Sequence, residues 1–170
     1  MPNTFTLISA VTVGSGGASS MDFTSIPQTY TDLCLKVSSR LSTNSYGNME
    51  VRFNGATSSY SNLVLTGDGS SVSSGTGNTG SLYLAVSNSS GGTSTFSSAE
   101  MYIPNYTGSA NKATSAEGVS EDNATTAFAR LMAGLLATSA AITSISIIPE
   151  PNYGNFVQHS TAYLYGIVKS

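Results

Sequence analysis

The sequence predicts an all-β fold, an antiparallel β-sandwich or barrel formed by a single domain over residues 1–170. Short stretches of alternating apolar and polar residues recur along the chain, and turn residues separate them about every 8–15 residues. Charged residues make up only 9% of the chain, well below the ~25% of an ordinary globular protein, so Ser, Thr, Asn and Gly must supply the polar surface. No helical crossover segments alternate with the strands, which disfavours a parallel α/β sheet.

The first half of the chain contains five predicted strands. In the first, four apolar residues share one parity and threonines occupy the other, so their side chains are predicted to share one face. These residues are Phe5, Leu7, Val11 and Val13. The third strand, Thr31 to Ser39, alternates in the same way. The other strands are predicted over Met21–Phe23, Met49–Phe53 and Ser61–Leu65.

Residues 66–80 are predicted to form a long exposed loop or hairpin tip, because nearly all of them are Gly, Ser, Thr or Asn. The segment contains neither a P-loop nor a G-x-G-x-x-G motif, so we do not expect it to bind phosphate. Further strands are predicted after it, over Leu82–Val86, Ala99–Ile103 and Lys112–Val119.

Residues 124–137 fit either a helix or a strand. Apolar residues recur there with the i, i+3, i+4, i+7 spacing of an amphipathic helix. They are Phe128, Leu131, Met132, Leu135 and Leu136. Gly134 weakens the helical interpretation, and all neighbouring segments are predicted strands, so we predict a strand.

The C-terminal stretch is predicted to form two strands joined by a connector that contains Pro149, Pro151 and Gly154. Ile145 and Ile147 alternate with serines in the first of these strands. In the second, Thr161 to Val168, both faces are largely apolar, which predicts a central strand or one covered by a partner. One face carries Tyr163, Tyr165 and Ile167, and the other carries Leu164, Gly166 and Val168.

The chain is poor in residues that catalyse reactions or bind metals. Cys34 is the single cysteine and His159 the single histidine, so neither a disulfide nor a zinc site is expected, and nothing local supports a catalytic triad. Glu121-Asp122-Asn123 is an oxygen-rich cluster, but it lacks the spacing of an EF-hand. We therefore expect no enzyme activity, no catalytic residues, no bound metal and no cofactor.

The charge of the chain also excludes some partners. With six basic residues and a net charge of −3, the chain is not expected to bind nucleic acid or an anionic membrane surface. The longest apolar stretches are well short of the ~18 residues of a membrane-spanning helix. The N-terminus lacks a charged segment, so no signal peptide is expected.

Two stretches resemble a known group of proteins. The first is Glu50-Val51-Arg52-Phe53-Asn54-Gly55 followed by Tyr60-Ser61, and the second is Phe156-Val157-Gln158-His159-Ser160 leading to Leu164-Tyr165-Gly166-Ile167. Together they resemble tailed-bacteriophage virion proteins, cyanophage and marine-phage-like, which share a jelly-roll β-sandwich. The chain has Ala56 where that group commonly has an acidic residue, and His159 where it commonly has glycine.

The resemblance implies a jelly-roll-like sandwich, with a strand at 124–137, in a structural protein of the virion. It implies a capsid decoration (cement) protein on the capsid exterior, in contact with the major capsid protein and with copies of itself as a homotrimer. The alternative is a tail-fibre or receptor-binding head protein in the tail, which binds a host-surface glycan. A free carbohydrate-binding module is a third interpretation.

Five residues are candidates for subunit contacts. Arg52 is predicted to face outward, where it can pair with an acidic neighbour or reach across a subunit boundary. Asn54 begins a tight Asn-Gly turn. The large rings of Tyr163 and Tyr165 lie near Gly166, which has no side chain and therefore allows another backbone to approach closely.

Overall fold

The computed structural model describes residues 4–43, 47–87, 95–121 and 127–168, and these residues form β-strands and no helix. In chain order the strands are β1 Phe5–Thr12, β2 Met21–Phe23, β3 Asp32–Ser39, β4 Gly47–Phe53, β5 Tyr60–Gly67, β6 Val72–Thr76, β7 Leu82–Ser87, β8 Ser97–Ile103, β9 Lys112–Glu121, β10 Ala127–Leu136, β11 Ile145–Pro149 and β12 Thr161–Ile167.

The strands form two antiparallel sheets that pack as a sandwich. The larger sheet has eight strands in the order β1-β12-β3-β8-β9-β10-β5-β6, and the smaller has four in the order β2-β11-β4-β7. The core contains fully buried apolar side chains of both sheets, such as Leu35 and Leu164 from the larger and Val51 and Ile147 from the smaller. The predicted all-β antiparallel sandwich is confirmed. The jelly-roll assignment stays a prediction from the resemblance.

Small side chains on the inner face of the larger sheet pack against the smaller sheet. In β9, inward and outward residues alternate without interruption, and the inward ones include Ala116 and Ser120. A Cβ atom built on Gly134 of β10 would overlap Thr114 of β9 and Leu82 of β7. Gly134, which weakened the helical prediction, is therefore a packing position between the sheets.

Residues 127–136 form a strand, as predicted for the ambiguous segment 124–137, of which residues 124–126 lie outside the described residues. β10 pairs along its whole length with β9 on one side and with β5 on the other for most of it. This placement separates residues that would share a helical stripe: Met132 and Leu136 are buried, whereas Leu131 is 58% exposed. The backbone hydrogen bonds of two neighbouring strands outweigh the local helical period.

The first strand contains a β-bulge, and the prediction that its four apolar residues share one face is wrong. Leu7 lies opposite Tyr165 and Ser9 lies opposite Leu164, so Ile8 is the extra residue. The bulge reverses the alternation. Phe5 and Leu7 are about half exposed, whereas Val13 is buried.

Of the two alternatives predicted for residues 66–80, a long loop or a hairpin tip, the structure has the hairpin, and it contains a strand that the composition does not predict. β5 continues to Gly67, and β6 returns alongside it in an unbroken antiparallel register. The connection between them is the tight turn Asp68–Ser71, where the Asp68 carboxylate accepts hydrogen bonds from the backbone N–H groups of Ser70 and Ser71. Gly and Ser are poor strand formers, so pairing with the apolar strand β5 must stabilise β6.

The two C-terminal strands lie in different sheets. β11 is an inner strand of the smaller sheet, and β12 lies between β1 and β3 in the larger one, which confirms the predicted central strand. The connector crosses from sheet to sheet. Phe156 is buried in this crossing, between Ala18 and Leu41.

Candidate interaction surface

Cys34 and His159, the single cysteine and the single histidine, lie in different parts of the structure. Cys34 is buried in β3, with Tyr102 and Tyr165 opposite it in the neighbouring strands. Burial, with a smaller contribution from Glu100, raises the pKa of the Cys34 thiol from 9.0 to about 11, which suppresses thiolate formation. His159 is exposed in the turn before β12.

The described residues contain no group of three or more His, Cys, Asp or Glu side chains placed to hold a metal ion. Asp122 and Asn123, from the oxygen-rich cluster of the sequence, lie outside the described residues. Among the residues that the structure describes, no helix is long and apolar enough to span a membrane.

All exposed large hydrophobic residues of the described chain lie on one surface, the face of the eight-stranded sheet that points away from the smaller sheet. We call this surface the outer face. Their side chains point outward because strand residues alternate between the two faces. The residues are Phe5, Leu7, Leu63, Leu65, Val72, Tyr102, Val119, Leu131 and Tyr163.

The largest apolar area of the outer face lies across β9, β10, β5 and β6. Leu131 in β10 is opposite Leu65 in β5, and these side chains are 58% and 50% exposed. Leu63, Val72 and Val119 extend the area to both sides. We call these five residues the distal band. A contiguous exposed apolar area of this kind is a candidate contact surface.

A second apolar area lies at the other end of the outer face, on β1 and β12. Tyr163 and Tyr165 point outward from β12, and Leu7 lies opposite Tyr165. The rings of Phe5 and Tyr165 pack edge to face with centroids 6.5 Å apart. The bulge at Ile8 is what turns Phe5 and Leu7 to this side, so it contributes to the surface as well as to the strand.

A charged strip separates the two apolar areas. Lys36 in β3 donates to Glu100 in β8 at 2.5 Å, and Glu100 lies opposite Glu117 in β9. The hydrogen bond raises the pKa of Lys36 and lowers the pKa of Glu100. Both side chains are about half exposed, so the pair contributes at most about 1 kcal/mol to stability. No ion pair between described residues includes Glu117, so this strip has an excess of negative charge.

The strip forms the floor of a shallow depression. Its volume is about 620 Å³, and it extends from Tyr163 across Lys36, Glu100 and Glu117 to Leu131. Hydroxyl groups of Ser38, Ser98 and Thr161 also line it.

Arg52 and Asn54, two of the predicted contact residues, lie on the smaller sheet, away from the outer face. Arg52 is 3.9 Å from the buried carboxylate of Glu50. The Asn54 side chain donates to Ala141 O and accepts from the backbone N–H groups of Thr143 and Ser144. These contacts hold the Asn-Gly turn against the segment that precedes β11.

The other three predicted contact residues lie on β12 but not on one face. Tyr163 and Tyr165 are on the outer face, whereas Gly166 is buried on the inner face. None of the five predicted contact residues belongs to the distal band. The sequence feature that could have indicated this band is the apolar character of both faces of β10. That character predicts that both faces are covered, but in the structure Leu131 is exposed.

Comparisons with family models, with curated proteins and with solved structures find no match to this chain.

Proposed function

We propose that this chain is a structural protein of a tailed-phage virion, a capsid decoration protein that binds the shell through its outer face. The observation that carries the proposal is the segregation of the exposed large hydrophobic residues of the described chain onto that one face. The resemblance of the two sequence stretches supplies the virion context.

The size of the outer face agrees with a protein–protein contact. Eight strands spaced about 4.8 Å apart and on average about eight residues long cover roughly 1,000 Å². A stable complex buries about 800 Å² on each partner, so the contact must use most of this face. Its partner is therefore a broad surface and not a short peptide.

The charged strip indicates the chemistry of that surface. Glu100 is paired with Lys36, whereas no ion pair between described residues includes Glu117. A partner that buried Glu117 against apolar groups would have to supply a cation, because a buried charge without a partner is costly. We propose that the major capsid protein presents a Lys or Arg side chain there, surrounded by apolar residues.

Purified particles test the proposal directly. Imaging of labelled particles should show this chain at regular positions over the whole shell. A few copies confined to the tail would contradict the decoration role.

Variants test the surface itself. L131K should weaken binding to shells stripped of this protein at least tenfold, because a charge would enter the apolar contact. R52A, on the smaller sheet, should bind normally. Equal losses for both variants would show that the outer face is not the docking surface.

The depression between Tyr163 and Leu131 favours a second candidate function. An exposed tyrosine ring, a Lys–Glu pair and several hydroxyls are groups that bind a sugar by stacking and hydrogen bonds. A tail-fibre or receptor-binding head protein would use this depression for a host-surface glycan. Binding of the isolated chain to neutral oligosaccharides on a glycan array, abolished by Y163A, would favour this function over decoration.

A further inference from the structure

The strand β6 forms one edge of the eight-stranded sheet and is exposed along its length. It pairs with β5 on one side, and no described strand lies on the other. All five residues of Val72–Thr76 are exposed, and Val72 is 79% exposed. The backbone of β6 is therefore accessible to another strand.

The hydrogen-bond phase of the hairpin identifies the free backbone groups. Asp68 N donates to Ser71 O at the turn, and Gly77 N donates to Asn62 O at the far end. Bonded and non-bonded pairs alternate in an antiparallel ladder, so Ser73 and Gly75 bond to β5. The N–H and C=O groups of Val72, Ser74 and Thr76 point to the open edge.

This edge lacks three of the features that normally prevent strands of different molecules from pairing. β6 contains no charged residue and no proline, and its register with β5 has no bulge. The opposite edge strand, β1, has the bulge at Ile8. Of the two edges of the large sheet, β6 is therefore the one that fits a further strand.

The free groups of β6 are complementary to themselves. In a twofold arrangement centred on Ser74, each Ser74 pairs with its counterpart and each Val72 pairs with Thr76 of the second copy. The three outward-pointing residues of each strand would then form about six intermolecular hydrogen bonds. On the inner face, the residues of β6 next to the second copy would be Ser73 and Gly75. Serine has a small side chain and glycine has none, so both leave room for the second strand.

We propose that β6 pairs antiparallel with β6 of a second copy of this chain, which joins the two large sheets into one and gives a dimer in place of the homotrimer that the resemblance implies. A twofold axis perpendicular to the sheet keeps both outer faces on the same side. The distal bands of the two copies would then be adjacent and form one continuous docking surface. The proposal goes beyond the decoration role and does not depend on it, because it concerns the isolated chain.

The pairing is expected to be weak. An edge of five residues is about 17 Å long and buries much less than the ~800 Å² per partner of a stable complex. Copies held side by side on a particle would pair more readily, because their effective concentration is high.

Sedimentation equilibrium of the full chain over a concentration series tests the proposal. Wild type should form a dimer with a dissociation constant below about 1 mM. S74K should weaken the dimer at least tenfold, because the two ammonium groups would meet across the axis, where paired residues lie about 5.5 Å apart. A10K adds the same charge on the other edge strand and should dimerise like wild type.

Amide exchange measured by NMR identifies the interface. The amides of Val72, Ser74 and Thr76 should exchange more slowly as the concentration rises, and those of Ser73 and Gly75 should change little. A monomer at 1 mM, a trimer, or a dimer that S74K leaves intact would overturn the proposal. A monomeric chain that still decorates the shell would overturn this inference alone.

Discussion

Gly166 in β12 packs directly against the ring of Tyr30. A Cβ atom built on Gly166 would lie well inside 3.0 Å of three ring carbons of Tyr30, closer than real Cβ atoms approach. Tyr30 in turn packs against the hydrophobic core. The sequence motif that suggested a subunit contact at Gly166 therefore has an explanation within the chain.

G166A is expected to lower the free energy of unfolding by about 2 kcal/mol, because the added methyl group displaces the Tyr30 ring. Urea denaturation measures the change. G67A is a matched control, since no atom lies within 4 Å of a Cβ built there, and it should be neutral within about 0.5 kcal/mol. If Y30A costs as much in the G166A background as in wild type, the two residues are not coupled and the explanation fails.

Asn54 contributes to stability through its side chain and through its backbone conformation. Its φ angle is 52°, and its side-chain amide forms hydrogen bonds with the backbone of residues 141, 143 and 144. N54A should cost about 2 kcal/mol, because it loses these hydrogen bonds and keeps the strained angle. N54G should cost about 1 kcal/mol less, because glycine adopts this angle freely. Equal losses for N54A and N54G in thermal unfolding would show that the angle carries no cost.

His159 has a φ angle of 71°, in the left-handed region that favours glycine. H159G should raise the free energy of unfolding by about 0.5–1 kcal/mol, whereas H159A should not. A less stable H159G variant in urea denaturation would mean that the imidazole makes a contribution larger than the backbone strain.

Cys34 should make the stability depend on pH under alkaline conditions. Its pKa is about 11 in the folded state against an ordinary 9.0, so the folded state holds the thiol proton more tightly. This contribution is fully present below pH 9 and is lost as the pH rises to 11. Two pKa units correspond to about 2–3 kcal/mol. Urea denaturation under reducing conditions should show this loss in wild type relative to C34A, and parallel curves for the two proteins would contradict it.

A chain truncated after Ser160 should not fold, because it lacks β12. That strand lies between β1 and β3, so its removal leaves the backbone groups and the inner apolar faces of both neighbours unpaired. A chain that ends at Val168 keeps β12 and serves as the control. A cooperative thermal transition in the shorter chain, followed by circular dichroism, would show that β12 is dispensable.

Local alternation was sufficient to predict most strands and many buried residues. Leu33, Leu35 and Val37 in β3 are buried as their spacing indicates. The prediction of buried residues failed in β1, where the extra residue Ile8 reverses the alternation of inward and outward side chains. The prediction of strands failed at β6, a strand of poor local propensity that pairing with β5 stabilises. Neither effect has a signal within the segment itself, because both depend on the strand that lies alongside.

The sequence by itself determined that this protein consists of short β-strands joined by turns, since a period of two residues is a local property of the chain. Tertiary structure alone decided which apolar face would be covered. Met132 and Leu131 are neighbours in one strand, yet the smaller sheet covers the side of Met132 and leaves Leu131 exposed on the outer face. The smaller sheet has four strands and the larger one eight. Which side of each strand in the larger sheet packs against the smaller sheet depends on pairings between residues far apart in the chain.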